Sequence, residues 1–220
     1  MAASPPRLVI FDCDGVLVDS EGLSNEVLAE MLRAEGLVMS TAEARSVFQG
    51  LLLADVFATA EARLGRALPE GTPSRFEEER SRVFERDLKP VEGARAAVMG
   101  VRDAGADVCV ASQGKPGKIL HSLELTGLRG LFDADALFSA YEVPRGKPHP
   151  DLFLHAARSR GVEPGSCAVV EDTPSGVVGA VAAGMRVLGY SADSDEAALR
   201  RAGAEIIDSL ETVPERLGLT

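Results

Sequence analysis

Three short apolar runs in this chain each end on polar side chains. Leu8-Val-Ile-Phe11 runs into Asp12, Asp107-Val-Cys-Val-Ala111 into Ser112, and Cys167-Ala-Val-Val170 into Glu171-Asp172. Apolar, β-branched runs without polar alternation read as strands buried on both faces, the kind found in parallel sheets. Arg186-Val-Leu-Gly-Tyr190 and Glu205-Ile-Ile207 read as two more. Helical segments fall between them, near residues 94–104, 118–125 and 150–159, and another at 175–183 stops at Gly184. Strands alternating with helices predict βαβ units, hence an α/β core with a doubly wound parallel sheet. In such a sheet the carboxyl ends of the strands form the ligand crevice. Asp12, Ser112 and Glu171-Asp172 are therefore expected to converge there.

Residues 20–89 read differently. They lack β-branched runs and are rich in Ala, Glu, Arg and Leu. Ser20 can cap a helix running through Ala34, with Gly36 ending it. Thr41-Ala-Glu-Ala starts a second helix, and segments 52–64 and 74–86 supply two more. The expectation is an all-helical cap domain over residues 17–90, inserted into a core of residues 1–16 and 91–220. Its hinges are expected near Val16–Ser20 and Leu88–Glu92.

Composition narrows the function classes. With 220 residues, 45% hydrophobic and 26% charged, the chain can bury a substantial core unaided. Its net charge of −11 argues against nucleic acid as a partner, because phosphate neutralisation needs clustered Lys and Arg. Three cysteines, Cys13, Cys109 and Cys167, sit in or beside apolar runs and do not form a disulfide framework. A reducing, cytoplasmic setting is expected from them, from residues 1–7 lacking a secretory pattern, and from the absence of any apolar run long enough for a membrane partner. A monomer accommodates everything read so far.

The pair Asp12-Cys-Asp14 alone says little, since about one Asp-x-Asp is expected by chance in a chain this long. Its context says more: a strand before it, Gly15 to permit a sharp turn, then apolar residues and Asp19-Ser20. Phe11-Asp-Cys-Asp-Gly-Val-Leu-Val-Asp-Ser20 resembles the first motif of the haloacid dehalogenase-like hydrolases. Ala111-Ser112 resembles their second motif and Gly146-Lys-Pro-His-Pro-Asp151 their third. Glu171-Asp-Thr-Pro-Ser-Gly-Val177, continuing to Ala183-Gly-Met185, resembles the fourth. The four follow in order and span nearly the whole chain.

That resemblance implies a Rossmann-like core with a helical cap, and a set of roles. Asp12 would attack phosphorus and Asp14 would serve as general acid, then base. Ser112, the backbone N–H of Gln113 and Lys147 would hold the phosphoryl group. Mg²⁺ would be held by Asp12, Asp172, the carbonyl of Asp14 and Glu171, hard oxygen donors suited to it. Glu171 has three readings: ligand, ligand through water, or a charge that shapes the field. No His/Cys cluster has zinc-type spacing, and His149 and His155 read as helix-start and packing residues.

Two departures qualify the resemblance. Where many relatives have a second hydroxyl after the motif-two serine, this chain has Gln113-Gly114, and Lys115 stands near enough to reach substrate. Asp14, which the dehalogenases of the family lack, argues against carbon–halogen cleavage. The expected activity is a Mg²⁺-dependent phosphatase acting on a small phosphorylated sugar or sugar acid. A β-phosphoglucomutase-like phosphomutase is the alternative, and an idle binding protein on this fold a third. Mutases of the family carry a His where this chain has Ser24, and an Arg near the apolar Leu51-Leu52-Leu53. In the cap, Arg80 and Arg82 can face an anionic substrate or lie on a solvated helix face.

Overall fold

The computed structural model describes residues 4–219. The described residues divide into two compact units, residues 4–18 with 90–219, and residues 19–89.

The first unit is built on six parallel strands: β1 (Leu8–Phe11), β2 (Asp107–Ser112), β3 (Leu137–Ser139), β4 (Cys167–Glu171), β5 (Arg186–Tyr190) and β6 (Glu205–Ile207). Their order is β3-β2-β1-β4-β5-β6. β1 and β4 are buried along their whole length, so helices cover both faces of the sheet. The covering helices of this unit are Ala94–Asp103, Pro116–Leu125, Asp151–Ser159, Pro174–Ala182, Glu196–Ala202 and Val213–Arg216. The chain builds outward from β1 to β3 on one side, then returns to place β4, β5 and β6 on the other. That reversal between β1 and β4 is the switch point at which doubly wound sheets bind ligands. β3 is absent from the strands expected above. It has only three residues, Leu-Phe-Ser, too few to show a period of two, and it forms one edge of the sheet.

The second unit consists of α1 (Glu21–Ala34), α2 (Thr41–Phe48), α3 (Leu53–Leu64) and α4 (Thr72–Asp87). It has its own core, made by Leu28, Leu32, Phe48, Phe57 and Phe76 among others. The Phe57 and Phe76 rings meet edge to face, 5.9 Å between centroids. Ser20 stands at the N-cap of α1 but makes no side-chain capping bond, contrary to the capping role expected of it. Its backbone is helical there, which turns the hydroxyl away from the first N–H groups. Ser40 caps α2 instead, in a reciprocal capping box with Glu43. Of the three consecutive leucines, Leu53 packs against this core and Leu51 is exposed.

All three cysteines are free and buried. No helix among the described residues is long and apolar enough to cross a membrane.

Candidate active site

Strand register brings the site together. Phe11 pairs with Val110 on one side and Val170 on the other. Asp12, Ala111 and Glu171 therefore lie at one level at the carboxyl end of the sheet, with Ser112 and Asp172 one residue beyond. The N–H of Asp12 still donates to Val170 O at 3.0 Å, which fixes the first residue past β1 against β4. The chain then folds back sharply. Cys13 O accepts from the N–H groups of Leu17 and Val18, and Gly15 takes φ +77°. Any side chain at Gly15 would overlap the Asp172 carboxylate. The turn thus needs glycine for its backbone and for the space that Asp172 fills.

Lys147 joins these carboxylates. Its Nζ donates to Asp12 Oδ1 at 2.7 Å and to Glu171 Oε1 at 2.5 Å, with only 2% of the side chain exposed. Glu171 is held from its other oxygen too: Oε2 accepts from the Thr173 N–H at 2.7 Å and its hydroxyl at 2.8 Å. Thr173 also caps helix Pro174–Ala182 by accepting from the Gly176 N–H. A Cβ at Gly176 would overlap the Glu171 carboxylate. The glycine of the fourth motif is therefore the space in which Glu171 lies.

Burial pushes the Asp12 carboxyl up to about 7, with Glu171 and Asp14 adding to the rise and Lys147 opposing it. Burial alone would lower Lys147, but Asp12 and Glu171 outweigh it and hold the ammonium above its ordinary range.

Carboxylate oxygens of Asp12, Glu171 and Asp172 lie within 4.8 Å of one another, and all three residues are buried. This hard, all-oxygen donor set fits Mg²⁺. The charge fits as well. Against the three clustered carboxylates stands the buried Lys147 ammonium, which leaves an excess of negative charge for a divalent cation to cancel.

The second motif is braced from β3 and from the third. Ser112 Oγ accepts from the Gly114 N–H at 3.1 Å, and Ser139 donates to Gly114 O at 2.6 Å. Gln113 does more than its backbone suggested, since its side-chain Oε1 accepts from the Lys147 N–H at 3.0 Å. Lys118, a residue the motifs passed over, forms an ion pair with Asp14. Lys115 is exposed at the N-cap of helix Pro116–Leu125. His155 packs edge-on against Phe138.

Ser24, Arg80 and Arg82 lie in the second unit. Ser24 is in the first turn of α1, donating its N–H to Ser20 O. The Arg80 guanidinium lies over the rings of Phe76 and Phe84, at 5.0 and 5.9 Å from their centroids. Arg82 pairs with Glu79 on the exposed side of α4.

The chain is 30% identical over 208 residues to 6-phosphogluconate phosphatase of Escherichia coli K12, covering 94% of this chain and 92% of that one. It is 34% identical over 193 residues to hexitol phosphatase B of the same organism, covering 83% and 84%. Among solved structures, a conserved haloacid dehalogenase-like protein of unknown function from Agrobacterium tumefaciens superposes with a TM-score of 0.81 at 32% identity, covering 96% of this chain and 97% of that one. Residues 6–184 match the haloacid dehalogenase-like hydrolase family, and the chain belongs to it.

Proposed function

We propose that this phosphatase removes phosphate from a small sugar phosphate or sugar-acid phosphate, with Asp12 as its nucleophile. The observation that carries the reading is the buried Lys147 ammonium, which touches both Asp12 and Glu171 at the switch point of the sheet. The phosphatases of similar sequence, named for 6-phosphogluconate and for hexitols, support the substrate class.

In the first step an Asp12 oxygen bonds to phosphorus while the bond from phosphorus to the sugar oxygen breaks. A proton from the Asp14 carboxyl passes to that oxygen, and the sugar leaves as an alcohol. In the second step water attacks phosphorus and gives its proton to the Asp14 carboxylate. The bond to Asp12 breaks, inorganic phosphate leaves, and both carboxyls return to their starting states. Lys147, Ser112 and the Gln113 N–H hold the phosphoryl oxygens in line, the positioning on which this chemistry depends. Glu171 also orients Lys147, through the hydrogen bond that its Oε1 accepts.

Asp12 and Asp172, with Glu171 and the Asp14 carbonyl, would hold Mg²⁺. When bound, it supplies positive charge that lets a phosphate dianion approach so many carboxylates. Choice among phosphorylated metabolites falls to Lys115, exposed beside the motif-two loop.

The test is inorganic phosphate release over a panel of sugar, hexitol and sugar-acid phosphates, with and without chelator. Magnesium-dependent release from at least one is expected. Undiminished turnover after rigorous chelation would refute the metal requirement. Isomerisation of β-glucose 1-phosphate much faster than phosphate release would replace hydrolysis with mutase chemistry.

A further inference from the structure

Lys118 belongs to none of the four motifs, yet its ammonium group donates to Oδ1 of Asp14. We propose that Lys118 is a positioning residue for the hydrolysis: by holding Oδ1, it aims Oδ2 of Asp14 at the oxygen that leaves phosphorus. The inference rests on the reading of Asp14 as the group that hands a proton to that oxygen.

The placement of the pair is the first support. The Lys118 side chain is only 11% exposed and that of Asp14 21%. Lysine is rarely so covered unless it is paired, and here the partner is a site carboxylate 104 positions away in sequence.

The path of the side chain is the second. Its stem crosses the motif-two loop at Gly114, where a Cβ would come within 3.2 Å of Lys118 Cδ and 3.4 Å of Ser112 Oγ. The loop carries no side chain at the crossing point. Ser112, Gly114, Lys118 and Asp14 thus form one continuous wall, and Ser139 pins it through Gly114 O.

The helix supplies the third. Pro116 begins helix Pro116–Leu125, which places Lys118 in its first turn, and that turn has no acidic residue. Unsatisfied N–H groups make the start of a helix positive, so acids are favoured there and a lysine is opposed. Helix stability does not account for a lysine at this position. Asp14 does.

Two other roles are open to the same cation: binding the phosphoryl group directly, or balancing charge to keep the loop folded. Neither depends on what leaves phosphorus, and a role exercised through Asp14 does. A sugar alkoxide needs a proton to depart, whereas 2,4-dinitrophenolate departs without one.

The experiment compares the two leaving groups in Lys118→Met, which keeps the stem and removes the charge. On a sugar phosphate substrate kcat/KM, which reports the steps up to departure of the sugar and not the later attack of water, is expected to fall about 10²-fold, the loss that follows when a reacting group is misplaced by about an ångström, with KM little changed. On 2,4-dinitrophenyl phosphate the loss is expected to be at least ten-fold smaller, as general acid help matters less there. Lys118→Arg is expected to recover part of the sugar phosphate rate. Lys118→Gln, read the same way, serves if the methionine variant does not fold. Equal losses on both esters, or no loss on the sugar ester, would overturn the proposal. Asp14→Asn run in parallel separates the failures. If Asp14→Asn shows the leaving-group dependence and Lys118→Met does not, the positioning role falls and the reading of Asp14 stands. If Asp14→Asn lowers kcat/KM for both esters alike, the two fall together.

Discussion

Asp12 and Glu171 reach Lys147 from neighbouring strands, and each would be an uncompensated buried charge without it. Asp12→Asn keeps an oxygen for Lys147 to donate to, so the variant is expected to fold, with an unchanged circular dichroism spectrum. It removes the nucleophile, and kcat is expected to fall by roughly 10⁴-fold or more, as when a nucleophile is deleted elsewhere. Near-normal turnover would refute the assignment. Gly176→Ala tests the space around Glu171 without changing any charge. Its methyl group has to displace the carboxylate. Overpacking of this kind costs about 1–3 kcal/mol, measurable by urea denaturation, and is expected to lower kcat by disturbing Lys147. Asp12, Lys147 and Asp172 were legible in the sequence because strand ends and motif order point at them. Lys118 and Ser139 were not, because each meets the site through a contact far away in sequence. The side-chain role of Gln113 was hidden for the same reason, since its partner is Lys147.

β1 is the central element, paired on both sides and buried throughout. Its apolar run was easy to read for that reason. Edge strand β3 was not, because three residues carry no usable periodicity. Helix boundaries shifted where caps differ from expectation: helix Pro116–Leu125 starts two residues earlier than its apolar pattern, at a proline suited to the first turn. In the helical unit, Phe57 of α3 joins α4 through Phe76. Phe57→Ala is expected to cost about 3–5 kcal/mol, the range for deleting a buried aromatic side chain. The check is hydrogen exchange, with lost protection expected in α1 through α4 and core strands β1 and β4 retaining theirs. Uniform loss across both units would show that the helical unit does not unfold by itself.

For the whole molecule, the −11 net charge and the carboxylate cluster set one problem together: an anionic substrate meets an anionic protein. A cation that binds only the folded chain raises its stability by mass action. Mg²⁺ is therefore expected to raise the Tm of the wild type by about 5–10 °C at a concentration about 100-fold above its Kd. In Asp172→Asn, which lacks one of the clustered carboxylates, the rise is expected to be much smaller. An equal rise in both would place the cation elsewhere. The central claim, that Asp12 carries the phosphoryl group, is tested most directly by quenching the enzyme during turnover of a sugar phosphate, reducing with borohydride, and sequencing the peptides by mass spectrometry. An aspartyl phosphate is reduced to homoserine, so homoserine at position 12 alone is the predicted result. Homoserine at another aspartate, or none at position 12 while phosphate is being released, would contradict it.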